Sequence, residues 1–100
     1  MQFVLVLLLA LVSSVDTADA GKKARCLAPA DASAAVQRHH LQQPRSAIAA
    51  ARRKASGDLL AARLCEGKSG YVYRLHILAK NGHVARVVVD AKSAEILGVH

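Results

Sequence analysis

Residues 71–90, YVYRLHILAKNGHVARVVVD, decide the fold. Apolar and polar side chains alternate through residues 71–79 and again through residues 84–90, which is the pattern of strands with one buried face. Asn81-Gly82 lies between the two segments and favours a type I′ hairpin turn, in which both positions need a positive φ. The stretch therefore predicts a pair of antiparallel strands. Their inner face would carry Tyr73, Leu75, Ile77, Val87 and Val89.

Two helices are predicted before this hairpin. The first runs through residues 34–42 and is capped by Asp31 or Ser33. The second covers residues 45–55, with Pro44 in its first turn and Gly57 as its left-handed stop. Its apolar face repeats at helical spacing and includes Ile48 and Ala51.

Two further strands complete the predicted sheet. One lies between Gly57 and the turn at residues 67–70, with Leu60, Ala62 and Leu64 facing inward, and a short one covers residues 95–99. Helices followed by an antiparallel meander indicate an α+β fold. We expect an N-terminal helix or helix pair packed on one face of a three- to four-stranded antiparallel sheet, with the other face open.

The first twenty residues have the features of a secretory signal. Residues 3–12 are an unbroken apolar run that is too short to span a bilayer, and Ala18-Asp19-Ala20 is a pattern that signal peptidases cut. We expect cleavage after Ala20 and a periplasmic or secreted protein. The remaining chain would be one domain over residues 31–100, preceded by an irregular basic tether over residues 21–30.

The charge of the chain favours anionic partners. Residues 21–100 keep all fourteen Lys and Arg but only five of the seven Asp and Glu, so their net charge is +9. Their aromatic residues are only Tyr71 and Tyr73, too few for the base stacking that single-strand nucleic-acid binders use. We therefore expect no nucleic acid, and acidic proteins or anionic surfaces instead. The cluster Arg52-Arg53-Lys54 is either a solvated helix end that matches the helix dipole or part of such a binding patch.

Cys26 and Cys65 are predicted to form a disulfide, because an exported domain of this size has a marginal core and an oxidising environment. If Leu64 faces the helices, Cys65 faces the other way. The bond would then draw the tether across the open face of the sheet. It could either restrict access to that face or only stabilise the fold.

Residues 44–97 resemble the PepSY domain family. The residues that carry the resemblance are the Pro44 helix, Gly57, the alternating segment 71–78, Asn81-Gly82, and the run 87–97, VVVDAKSAEIL. The resemblance implies a small extracytoplasmic module without enzymatic activity that binds or restrains peptidases or acts in envelope sensing.

Two positions depart from the family pattern. Ser93-Ala94 stands where the family usually has Thr-Gly, and alanine costs about 1 kcal/mol there if the turn needs a left-handed residue. The first strand carries Arg63 where members often have outward acidic residues. Asp90 is predicted to form a turn by hydrogen-bonding the backbone that follows it.

No catalytic, cofactor or metal site is predicted. The adjacent His39 and His40 point about 100° apart on a helix and cannot chelate together. His76 and His83 flank the hairpin, but no carboxylate or thiol completes a site. A nucleophilic Cys65 would need a paired base, which is not visible.

The first functional hypothesis is therefore an exported, monomeric, non-enzymatic PepSY-like module. It would bind a partner protein, such as a peptidase or a sensor ectodomain, through its open sheet face or an edge strand. The alternative is a basic structural protein that associates electrostatically with the anionic envelope. The candidate partner surface consists of Arg63, Arg74, His76, Arg86 and Val88.

Overall fold

Within residues 25–100, five antiparallel strands, hydrogen-bonded in chain order, form one sheet. The computed structural model describes residues 25–100, so the predicted signal segment and residues 21–24 of the predicted tether lie outside the described residues. The element order is β1 Arg25–Cys26, α1 Pro29–Arg38, α2 Pro44–Lys54, β2 Asp58–Gly67, β3 Gly70–Leu78, β4 Val84–Asp90 and β5 Ile96–Val99. The predicted α+β class is confirmed.

The predicted count of three to four strands is wrong because the segment predicted as an irregular tether contributes a strand. Arg25–Cys26 pairs antiparallel with the outer edge of β2. Two residues are too few to show a period-two pattern in the sequence. Pairing with β2 makes them a strand.

Helix α1 begins and ends earlier than predicted. Pro29 opens it after Ala28, and Asp31 lies in its first turn, where a carboxylate complements the helix dipole, rather than at the cap. The helix stops at Arg38 because His40 takes a left-handed conformation with φ 55°. The amide of Leu41 then donates to the Val36 carbonyl at 2.9 Å, which closes the helix end in the manner of a Schellman motif.

Helix α2 lies close to its predicted position, from Pro44 to Lys54, and buries Ala47, Ala50 and Ala51. Its predicted stop is wrong, because the capping residue is Ala55 in an extended conformation. Gly57 has a different role. At its φ of 149°, a side chain would overlap the carbonyl group of Leu78, so this glycine allows the chain to pass close to the end of β3.

The core lies between the helices and one face of the sheet. The predicted residues Ala51, Leu64, Leu75 and Val89 are all fully or almost fully buried, and Ile48 packs against them half-buried. Tyr73, Ile77 and Val87 are buried in the same layer. Short alanine side chains on α2 let the helix approach the sheet closely.

Leu60 is the exception to the predicted core. The pairing of β2 with β3 shifts between Leu59 and Ala61, so that Leu59 pairs with Ile77 and Ala61 with His76. Leu60 is the extra residue of this bulge and is 54% exposed. The period-two prediction fails here because a bulge reverses the faces of the residues before it.

The hairpin at Asn81-Gly82 is confirmed, but its predicted turn type is wrong. Only Gly82 of the pair has a positive φ, 90°. The amide of Gly82 donates to the Ala79 carbonyl at 2.9 Å, and the amide of Ala79 donates to the His83 carbonyl at 2.9 Å. This is the three-residue hairpin loop that ends in a left-handed glycine. Asn81 contributes through its side chain, whose Oδ1 accepts from the His83 amide at 3.0 Å.

The turn after β4 follows the sequence prediction. An Asp90 carboxylate oxygen accepts hydrogen bonds from the Ser93 amide at 2.9 Å and the Ser93 hydroxyl at 2.8 Å. Ala94 adopts the left-handed conformation, with φ 66°, at the position where the PepSY pattern has glycine. The predicted conformational penalty at Ala94 therefore applies to this chain.

Candidate binding surface

The predicted disulfide between Cys26 and Cys65 is present. The two residues lie directly opposite each other on β1 and β2. Leu27 and Leu64, the residues next to the cysteines, are joined by a hydrogen bond from the Leu27 amide to the Leu64 carbonyl at 2.8 Å. The cysteines therefore occupy a non-hydrogen-bonded position, where side chains of opposed antiparallel residues are closest.

The described part of the tether does not cross the open face of the sheet. Residues Arg25–Cys26 extend the sheet at the edge of β2, and the chain then enters α1 at Pro29, in the layer that packs against the opposite face. The expectation that the disulfide draws residues 25–30 across the open face is wrong. The cause is that Cys26 and Cys65 are cross-strand partners, so the bond joins two adjacent strands on the open face and no chain segment has to cross that face.

The strand register places all five candidate partner residues on the open face. Arg63, Arg74 and Val88 form one row across β2, β3 and β4. His76 and Arg86 form the neighbouring row across β3 and β4. The four basic side chains are exposed and Val88 is half-buried.

His100, which follows the end of β5, extends this surface and is not among the candidate partner residues predicted from the sequence. The His100 amide donates to the Arg86 carbonyl at 2.8 Å, and the Arg86 amide donates to the His100 carbonyl at 3.0 Å. His100 thereby continues the row of His76 and Arg86. Its alternation with Gly98 was the signal available in the sequence. The basic belt is defined here as Arg63, Arg74, His76, Arg86 and His100.

A shallow depression of about 310 Å³ lies within the basic belt. Its lining includes Arg74, His76, Arg86 and His100, together with Val88. A depression of this size accommodates one or two side chains of a partner rather than a large ligand.

The electrostatics of the belt are unfavourable without a partner. Arg63 and Arg74 are directly opposite each other on adjacent strands. Like charges in that position repel and destabilise a sheet. The two rows of the belt contain no carboxylate, since their other members are Ala61, Val88 and Gly98. An anionic group bound over the belt would relieve this repulsion.

Carboxylates border the open face at its two ends. Asp58 pairs with Leu78 at one end, and Asp90 pairs with Val72 at the other. Hydrogen bonds from the Ser93 hydroxyl and then from the Ser93 amide lower the pKa of Asp90 below its ordinary value. These bonds commit the Asp90 carboxylate to its own turn, so it is not free to neutralise the arginines.

Apolar groups surround the basic belt. At one end of the open face, Val72 is half-buried and lies opposite Cys65 of the disulfide. At the other end, Leu78 is half-buried and lies opposite Val84, which is 46% exposed. Arginine is enriched in surfaces that bind proteins, and the neighbouring apolar side chains supply area that a partner can bury.

The histidines outside the belt are separated from it. His83 belongs to the hairpin loop, and the His39 ring lies 5.0 Å from the Tyr71 ring. Within residues 25–100, no three His, Cys, Asp or Glu side chains are grouped so that they could hold a metal ion. Both cysteines are consumed by the disulfide.

Comparison with protein-family models, with curated proteins and with solved structures finds no match to this chain. In the part of the chain that the structure describes, neither helix is long and apolar enough to cross a membrane.

Proposed function

We propose that this protein is an exported, non-enzymatic PepSY-like module that binds an acidic region of a partner protein over its basic belt. The single observation that supports this proposal is the placement of Arg63 and Arg74 opposite each other, with Arg86 in the next row. Like charges directly opposite each other destabilise a sheet, and an anionic partner would relieve this repulsion. The partner classes follow from the PepSY resemblance and are a peptidase or a sensor ectodomain.

The disulfide supports the extracytoplasmic part of the proposal. Disulfides persist in secreted and periplasmic proteins and are rare in the reducing cytosol. The bond between Cys26 and Cys65 is therefore consistent with export. The predicted leader in residues 1–20 would direct it.

The test uses two double charge reversals that change the net charge equally. Arg74→Glu with Arg86→Glu alters the basic belt, whereas Arg52→Glu with Arg53→Glu alters exposed residues in the last turn of α2. Wild type and both variants are immobilised and used to capture proteins from an envelope extract. We expect the belt variant to lose a specific partner that the helix variant retains.

A second function has its own observation in favour. Arg45, Arg52, Arg53 and Lys54 are all exposed on α2, away from the basic belt, so the positive charge is not confined to one face. Such a distribution suits electrostatic attachment to anionic lipid or cell-wall polymer.

Charge position separates the two functions. Electrostatic attachment to vesicles that contain anionic phospholipid would weaken steeply with salt, and the two double variants would weaken it equally. Equal loss in both variants, with no protein captured by wild type alone, would contradict the protein-binding proposal and favour the envelope-associated one.

A further inference from the structure

A second concave region lies on the helix side of the sheet, between α1 and the outer edge of β2. It is a groove of about 460 Å³. Its floor includes Ala62, Leu64 and Tyr73, and Val36 of α1 lines its wall. Most of the side chains around it are apolar, so it would accept an apolar side chain from a ligand.

The edge of β2 beside this groove is only partly occupied. β1 pairs with Cys65 and Glu66, the Leu27 amide bonds to the Leu64 carbonyl, and the chain then leaves the sheet. Among the described residues no strand pairs with this side of residues 58–63.

Ala62 presents its backbone groups at this free edge. The Leu64 carbonyl points outward, because it accepts the bond from Leu27. In a regular strand the N–H and C=O groups of alternate residues point to the same side, and no bulge separates Ala62 from Leu64. The N–H and C=O of Ala62 therefore point away from β3, and Ala62 is exposed.

We propose that an extended segment of the partner protein pairs with this free edge at Ala62 as an added strand that continues the line of β1. This inference rests on the proposed function. It adds a second contact with the same partner, at the edge of β2, whereas Arg86 of the basic belt lies on β4. Backbone hydrogen bonds to Ala62 would give affinity, and alternate side chains would give specificity. β1 already shows that this edge accepts an antiparallel strand.

The register defines the sequence of the added strand. A residue opposite Ala62 shares the face of Ala62 and Leu64, so its side chain enters the groove and is apolar. A residue opposite Arg63 lies on the open face beside that guanidinium, where a carboxylate is favoured. The segment is therefore expected to alternate apolar and acidic residues.

A second copy of this chain fits the edge poorly. Two paired β2 edges would bring two copies of Arg63 to one short interface, in a protein whose residues 21–100 carry a net charge of +9. Repulsion between like charges disfavours this pairing.

Amide exchange measured by NMR tests the proposal on the protein purified after export. The probe is a short blocked peptide in which valine and glutamate alternate. In the free protein the Ala62 amide should exchange faster than the Arg63 amide, which points toward β3. Saturation with the probe should slow exchange at Ala62 by at least about tenfold, as expected for a newly formed backbone hydrogen bond.

Two control peptides isolate the cause. A valine–lysine peptide should bind more weakly, because it opposes Arg63 with a cation. A valine–glutamate peptide that is N-methylated at alternate residues on its pairing side should not protect Ala62, because it cannot complete the backbone ladder.

Two protein variants separate this inference from the proposed function. Ala62→Pro removes the outward N–H without removing a bond to β3, and should weaken probe binding by about tenfold. Arg86→Glu, on β4 and two strands away from this edge, should leave protection of Ala62 by the probe intact. Thermal unfolding checks that Ala62→Pro is folded, and the exchange experiment on wild type requires no variant.

Three results would overturn the edge proposal: no probe binding, binding without protection of Ala62, or protection in the free protein that increases with protein concentration. The last would show that a second copy occupies the edge. If captured partner is lost in the double belt variant but not in Ala62→Pro, the proposed function stands and the edge contact does not.

Discussion

The hydroxyl of Tyr73 donates a hydrogen bond to the carbonyl oxygen of Gln42, 31 residues earlier in the chain. Gln42 lies in the linker between the helices, and its amide donates to the Ala91 carbonyl at 2.7 Å. Its side-chain Nε2 donates to the Lys92 carbonyl at 3.3 Å. One linker residue thus fastens both helices to β3 and to the turn after β4.

Removal of the Tyr73 hydroxyl should weaken the fold. Tyr73→Phe keeps the buried ring but deletes the bond to Gln42, which should lower the free energy of unfolding by about 1 kcal/mol. Denaturant unfolding at neutral pH measures the change. Tyr71→Phe is the matched control, since Tyr71 is only half-buried, and an equal loss in both variants would contradict the assigned role of the Gln42 bond.

Tyr73 should also make stability depend on alkaline pH. Burial raises the pKa of Tyr73 above its ordinary value of 10.0. The folded state favours the neutral phenol of Tyr73. The contribution of this group to the free energy of unfolding is therefore complete below pH 10.0 and is lost as pH rises through the higher pKa of the folded state. The stability of Tyr73→Phe should therefore fall less than that of wild type above this pH.

Glycine at position 94 should stabilise the protein. Ala94 has φ 66°, so Ala94→Gly removes a conformational penalty of about 1 kcal/mol. Loss of the contact between the Ala94 methyl group and the core offsets part of this gain. Ala49→Gly is the control, because Ala49 is exposed within α2 and should lose about 1 kcal/mol. Melting temperatures that shift in opposite directions would support the prediction, and a destabilised Ala94→Gly would contradict it.

The Asp90 turn should contribute to the acid sensitivity of the fold. Hydrogen bonds from Ser93 lower the pKa of Asp90 below its ordinary value of 3.8. Its contribution to stability is therefore present above that value and is lost as pH falls through the folded pKa. Asp90→Asn should flatten the acid limb of the stability profile. Denaturant unfolding at a series of acidic pH values measures this slope, and an acid limb in Asp90→Asn as steep as that of wild type would contradict the prediction.

Leucine truncation should locate the bulge in β2. Leu64 is 3% exposed and Leu60 is 54% exposed. Leu64→Ala should therefore cost about 2–5 kcal/mol, enough to unfold most of so small a domain, whereas Leu60→Ala should cost less than about 1 kcal/mol. Thermal unfolding of the two variants provides the comparison. Similar losses would mean that both leucines are buried and that β2 has no bulge.

Loss of the disulfide should destabilise the domain and release β1. The bond spans a sequence separation of 39 residues, so the chain-entropy model gives a contribution of about 4 kcal/mol. Cys26→Ser with Cys65→Ser should lower the melting temperature and speed exchange of the Leu27 amide more than that of the Leu75 amide. Two reactive thiols in the oxidised protein under denaturing conditions would contradict the bond itself.

The sequence alone predicted the features that depend on neighbours along the chain. Period-two alternation identified β3 and β4, proline and alanine content identified the helices, and Asp90 with Ser93 identified a turn whose hydrogen bonds are local. The glycine of the PepSY pattern only raised the question of a left-handed residue at Ala94, and the structure answered it with a φ of 66°. The pairing of Cys26 with Cys65 followed from there being only two cysteines in the chain.

Only the tertiary structure decided the features that depend on strands distant in the sequence. β1 is a strand because the edge of β2 pairs with it, and Leu60 is exposed because the register of β2 against β3 shifts by one residue. His100 joins the basic belt only through its backbone bonds to Arg86. These outcomes depend on which backbone groups form hydrogen bonds across the sheet. That pairing is determined by contacts and burial between segments distant in the sequence, so the order of residues along one strand does not specify it.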